Sequence, residues 1–219
     1  MYRRAFTLIE LLIVIAIIAI LAVVVVLTLN PAQLLAQSRD ANRISDMATL
    51  QSAINLYNTD QSGSAGYSLG NASSAYLSLP DSSSTCGSWN LPSLLGYTYS
   101  CSSITSSRNI NGSGWVSVNL ASTTSGSPLS NLPVDPVNSS STGLYYTYYS
   151  NGSQYEVTSI FESAKYKAQY GQSPVDPGYP EINAKGSSLS ISPLFNPLGL
   201  VGYWPLTEGS GSSSTFSGQ

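Results

Sequence analysis

The run from Phe6 to Leu29, FTLIELLIVIAIIAILAVVVVLTL, limits what this chain can become more than any other stretch. Only Thr7, Glu10 and Thr28 interrupt it, and it holds neither Gly nor Pro. As a helix rising about 1.5 Å per residue it spans roughly 36 Å, enough to cross a hydrocarbon core about 30 Å thick. A strand of that length would lack a partner sheet, and in lipid only a helix satisfies its own backbone. Arg3 and Arg4 precede the run, so the positive-inside rule holds the N-terminus in the cytoplasm and sends the rest outward. Glu10 is the anomaly. A carboxylate inside an apolar span is costly, and such residues mark function.

Composition matters here for what it excludes. Charged residues make up 9% of the chain, with no basic stripe to track phosphates, so nucleic acid is not an expected partner. Histidine is absent, which rules out Ser–His and Cys–His catalysis and any His-ligated metal. The acidic residues are scattered, and no carboxylate pair of the glycosidase kind stands out. No catalytic residue, metal or cofactor is therefore expected. Two cysteines, Cys86 and Cys101, in a chain leaving the cytoplasm point to one disulfide, and the absence of a CxxC pair argues for a staple rather than redox chemistry.

Beyond the span, Leu34, Ala41, Ile44, Met47, Leu50, Ile54 and Tyr57 follow steps of three, four and seven, one face of an amphipathic helix. This face is expected to seat a globular head, with Arg39, Asp40, Arg43 and Asp46 on the solvated side. Pro31 marks a kink in one helix of roughly 80 Å, or a fresh start with Asn30 as N-cap; the kinked continuous helix is the preferred reading. Gly114–Leu120 alternates by side and reads as a strand. Leu144–Tyr149 and Tyr155–Phe161, β-prone runs around Asn151-Gly152, read as a hairpin. Tyr145, Tyr146, Tyr148, Tyr149 and Tyr155 are expected as strand residues divided between core and surface, ahead of a stacking platform for sugars or bases.

At the N-terminus, Ala5-Phe6-Thr7-Leu8-Ile9-Glu10 followed by LLIVIAIIAIL resembles the start of type IV pilins and type II secretion pseudopilins. The resemblance covers roughly residues 3 to 30. It implies cleavage between Ala5 and Phe6 by a prepilin peptidase, N-methylation of Phe6 by the same machinery, and assembly of bundled helices through Glu10. Two departures stand out: Ala5 where the family usually has Gly, and a span without the internal Gly or Pro of many pilins. The order Leu-Pro-x-Asp-Pro, Tyr-x-Tyr, Tyr-Glu-Val is similar to the sheet of the type II secretion major pseudopilin. That family often binds calcium after its last strand. Here the matching residues, Glu162 to Lys167, hold too few carboxylates, and calcium is not carried over. A third resemblance closes the chain. Gly199 to Gly211, GLVGYWPLTEGSG, is similar to the opening strand of laminin-G-like, concanavalin-type domains. One strand cannot close a sandwich, so either the domain continues past residue 219 or the tail is a remnant, and continuation is the preferred reading.

The expected fold is therefore α+β: a long N-terminal helical spine, transmembrane in its first half, on a small antiparallel sheet. The expected divisions are 1–5 leader, 6–29 membrane and filament-core helix, 30–60 amphipathic helix, 61–163 β head, 164–197 linker and 198–219 laminin-G-like start. The function these features imply is a structural subunit of a type IV pilus or a type II secretion-like pseudopilus. Its partners would be the prepilin peptidase, other pilin subunits and an inner-membrane assembly platform. It would sit in the cytoplasmic membrane as a single-pass protein and then in an extracellular or periplasmic filament. The alternative is an anchored adhesin displaying a laminin-G-like ligand-binding domain.

Overall fold

The computed structural model describes residues 6–94, 96–170, 182–189 and 191–192. Ala5 and the laminin-G-like stretch 198–219 lie outside them. Two helices lead the chain, α1 (Leu8–Leu29) and α2 (Pro31–Gln61). A five-stranded sheet follows, built from β1 (Ser74–Leu77), β2 (Thr98–Cys101), β3 (Thr147–Ser150), β4 (Tyr155–Ile160) and β5 (Ile182–Gly186), with a short helix α3 (Ala164–Tyr170) before β5. The class is α+β, as the sequence implies.

The spine is not one kinked helix. Asn30 adopts a left-handed conformation (φ 40°, ψ 75°), closing α1 and capping α2 through its side chain, which accepts from the Gln33 amide at 3.4 Å. Pro31 then occupies the first helical position, where its missing N–H leaves no bond unmade. Asn tolerates the left-handed region better than most residues, so one residue is enough to break the helix.

The sheet runs β2-β1-β3-β4-β5 and is mixed rather than antiparallel throughout. β1 pairs with β2 in parallel, Ser74 opposite Thr98, while β1–β3, β3–β4 and β4–β5 are antiparallel. The β3–β4 hairpin turns at Asn151-Gly152, with Gly152 at φ 89°, as the Asn-Gly pair predicts. Gly114–Leu120 is not a strand. Trp115 and Val116 are both buried, as are Val118 and Leu120, so the segment bends to bury neighbours that a pleated strand would send to opposite faces. The Trp115 indole donates to the Pro133 carbonyl at 2.9 Å.

Residues 164–197 are not a linker throughout, because α3 and β5 lie within them. β5 closes the free edge of β4, with Thr158 opposite Ala184. Its sequence, INAKG, lacks strand alternation; among its residues only Asn183 is buried, and its side-chain amide donates to the Ser159 hydroxyl at 3.4 Å.

Both faces of the sheet are covered. One packs on α2, where Met47, Leu50, Ile54 and Tyr57 meet Tyr76, Tyr148, Tyr155 and Val157. The opposite face holds Ala75, Leu77 and Tyr149 beneath the 81–101 loop. Cys86 and Cys101 are disulfide-bonded there, Cα atoms 5.2 Å apart, and pack with Leu77 and Leu79. Of the five tyrosines only Tyr148, Tyr149 and Tyr155 lie in strands, divided between two covered faces rather than between core and water; Tyr145 and Tyr146 precede β3, Tyr145 half-buried and Tyr146 buried.

Candidate functional site

The α1 helix lies open to its surroundings over its described side chains. From Phe6 to Val25 every residue is exposed, and Val14, the best covered of its large apolar side chains, is still 45% open. Leu8–Val25 is long and apolar enough to cross a membrane. An exposed apolar surface of this extent does not persist in water and marks a lipid- or protein-facing site.

Thr7 and Glu10 begin this helix with a capping box. The Glu10 amide donates to the Thr7 hydroxyl oxygen at 3.3 Å, and Glu10 Oε2 accepts from the Thr7 amide at 2.9 Å and from its hydroxyl at 2.7 Å. The box satisfies two orphan donors of the first turn, and the acidic group faces the positive end of the helix dipole. In the isolated chain Glu10 therefore has local partners despite its apolar neighbours.

A second polar constellation fixes α2 to the head. Arg43 is fully buried and lies between two buried carboxylates. Its Nε and Nη2 donate to Asp135 at 2.6 and 2.9 Å, and Nη1 donates to Asp40 at 2.8 Å. Asp40 also accepts from the Glu162 and Ser163 amides at 2.9 and 2.8 Å, which ties it to the chain leaving β4. Asp135 accepts from the Val137 and Asn138 amides at 2.8 and 3.3 Å, which stiffens the turn after Pro133. Arg39 closes the outer side with a two-pronged bond to Glu162, and Glu162 also reaches Arg43 at 3.4 Å.

Burial alone would favour a neutral Arg43, but the hydrogen bonds and charge of Asp135 and Asp40 outweigh it and raise its pKa. The Arg39 guanidinium holds the Glu162 carboxyl below its usual range. Asp46 shifts the other way: burial raises its pKa against the pull of the Tyr146 hydroxyl, which donates to it at 2.7 Å. A buried ion pair of this kind adds little net stability over an apolar pair, yet its geometry admits only one position. The clamp ties α2 both to the turn after Pro133 and to the chain leaving β4.

Other head carboxylates also hold hydrogen bonds within the head. Asp81 accepts from Ser88 and Ser83, which brings its pKa down to about 2, with the Ser88 hydroxyl first among the causes. Asp60 accepts from Thr124, and Glu156 from Ile191 and Ser192. Among the described residues, no three His, Cys, Asp or Glu side chains converge as a metal site would need.

The structure thus keeps the two sequence-marked regions apart: Phe6 and Glu10 on the open helix, Cys86 and Cys101 under the sheet. It also overturns one expectation. Asp40 and Arg43 are buried and Arg39 is bonded to the head, so these charges do not form a solvated face. Leu34 is 50% exposed instead, with Ala41 exposed and Ile44 half-buried. The buried row is Ala36, Asp40, Arg43, Met47, Leu50, Ile54 and Tyr57, joined by Ala53. Its steps of four and three were visible in the sequence, running back from Met47 through both charges. That rhythm is the signal that could have found them.

Compared with family models, residues 1–26 match the prokaryotic N-terminal methylation motif. No curated protein and no solved structure matches the chain. That match is confined to the N-terminal region and supports a type IV pilin-like precursor processed at that end.

Proposed function

We propose that this chain is a structural subunit of a type IV pilus or a type II secretion-like pseudopilus. A prepilin peptidase cuts between Ala5 and Phe6, and the new Phe6 amine is methylated. Before assembly α1 spans the cytoplasmic membrane once, with the N-terminus inside, and an inner-membrane platform draws it into the filament. One observation carries this reading: an apolar helix left exposed from Leu8 to Val25 by a chain that packs both faces of its sheet. Such a helix needs lipid first and other helices afterwards.

Glu10 then has two successive sets of partners. In the lone subunit it accepts from Thr7. In a filament of staggered helices, the Phe6 amine of one subunit can lie beside Glu10 of the next. Each charge alone in an apolar interior is costly, and pairing removes most of that cost. The pair sets axial register more than it adds stability.

The test has two arms. Mass spectrometry of the N-terminal peptide, after co-expression with a prepilin peptidase, should find Phe6 first and methylated; Met1 retained would sink the processing step. Sheared-filament yield should collapse for Glu10→Val while its membrane abundance holds or rises, with Glu10→Asp intermediate. Normal filaments from Glu10→Val alone would remove the carboxylate from assembly.

A further inference from the structure

We propose that the head binds a short neutral saccharide in a cleft where the chain leaves β4, beside the disulfide-closed loop. The cleft has a volume of about 470 Å³. Small-molecule sites fall between roughly 300 and 1,000 Å³. Three stretches of chain line it: Asn90 to Pro92, Ser140 to Tyr145, and Ile160 to Glu162, with Lys167 added from α3.

Each stretch is fixed before any ligand arrives. The first lies inside the loop closed by Cys86 and Cys101, and the Tyr99 hydroxyl donates to the Pro92 carbonyl at 2.7 Å. The second is a tight turn, in which the Ser139 amide donates to the Leu144 carbonyl at 3.0 Å. Gly143 sits in that turn at φ 72°, a left-handed value that glycine adopts without strain. The third is held by the clamp on α2: the Glu162 amide donates to Asp40, and its carboxylate meets Arg39 and Arg43. A lining ordered in advance spares a ligand the cost of ordering it.

The chemistry of the lining selects the ligand. It carries one carboxylate and one amine, so no net charge draws an anion or a cation. The Glu162 carboxylate is moreover already bonded to Arg39 and Arg43. What is left to bond is neutral. The Asn90 amide and the Ser140 and Tyr145 hydroxyls belong to the lining, and none of these three groups has a hydrogen-bond partner among the described residues. Burial raises the Tyr145 pKa, so its phenol stays protonated and able to donate. An amide and two hydroxyls donate as well as accept, which matches the hydroxyl groups of a sugar. Leu91, Leu144 and Phe161 supply apolar surface for the C–H faces of its rings. A wholly apolar ligand would strip water from the three polar groups and return no bond. Every lining residue belongs to the head, so the inference does not depend on assembly into a filament.

The experiment uses the full chain in a sugar-free detergent, with maltose, cellobiose and lactose as neutral probes and sialyllactose as the charged comparison. Saturation-transfer NMR should show at least one of the three disaccharides binding with a Kd below about 10 mM. Sialyllactose should bind no better than lactose. Tyr145→Phe keeps the ring and removes one hydroxyl, and it should weaken the binding about fivefold, as the loss of one net hydrogen bond implies. Asn90→Ala, at an exposed position, should weaken it at least as much. Thermal unfolding of both variants should match the wild-type chain, so that a loss reads as a lost contact and not a lost fold. A weakened affinity in either folded variant supports the cleft. Unchanged affinity in both would overturn it, as would no transfer to any of the three disaccharides at about 10 mM. Tighter binding of sialyllactose than of lactose would overturn the neutral class.

Discussion

The two helices of the spine are adjacent in sequence and opposite in character. α1 is exposed from Leu8 to Val25 and apolar there but for Glu10, whereas α2 directs even its charges into the head. The outward side of α2 is left with small or uncharged residues such as Leu35, Ser38, Ala41, Ser45, Ala48 and Ser52, all exposed. One helix must be covered from outside, and the other is covered from within. Asn30 is the boundary, a single left-handed residue that lets each helix follow its own packing.

The largest test of this contrast is Arg43→Ala. It leaves Asp40 and Asp135 buried without their cation, and the head should lose about 3–5 kcal/mol in urea unfolding of the detergent-solubilised chain. A loss under about 1 kcal/mol would mean that the clamp is not closed in solution. Paired leucine truncations sharpen the comparison. Leu50→Ala should destabilise the head by about 2–5 kcal/mol, and Leu21→Ala by less than about 0.5 kcal/mol in the same assay, because only Leu50 has neighbours to lose. Equal effects would show that α1 folds back on the head. Cys101→Ser should cost about 3 kcal/mol for a closed loop with a sequence separation of 15 and should leave α1 untouched, as helix content by circular dichroism would report.

Acid should produce the smallest effect. Asp81, lowered to about 2, and Glu162, lowered by Arg39, both carry depressed pKa values. Their contribution is complete above the ordinary carboxylate range and is lost as pH falls through their folded values. Asp46, raised by burial, takes up its proton first and partly offsets that loss. Thermal unfolding of the head should therefore be level near neutrality and decline below about pH 4, with α1 helicity unchanged. A decline beginning near pH 7 would contradict these assignments.

What the sequence reveals depends on how far away the partner lies. The apolar span is legible because its character is carried residue by residue. Met47, Leu50, Ile54 and Tyr57 are legible because helical spacing and apolar type agree. Asp40 and Arg43 share that spacing but are misread, since their partners Asp135 and Glu162 lie about a hundred positions downstream and no local pattern announces them. The β3–β4 hairpin shows in its Asn-Gly turn. The parallel β1–β2 pair and β5 do not, because each depends on a strand edge made available elsewhere. Of the candidate site, Thr7 and Glu10 are legible as a motif, while the burial of Glu156 appears only once the alternation of β4 is seen against a covered face.

The scarcity of charged side chains also governs how copies of the head would meet one another. Hydration of such a surface rests largely on serine, threonine and asparagine side chains, because charged residues make up only 9% of the chain. Two such surfaces approach with little charge repulsion for dissolved salt to screen. Contacts between such heads should therefore respond weakly to ionic strength, in fresh and saline water alike.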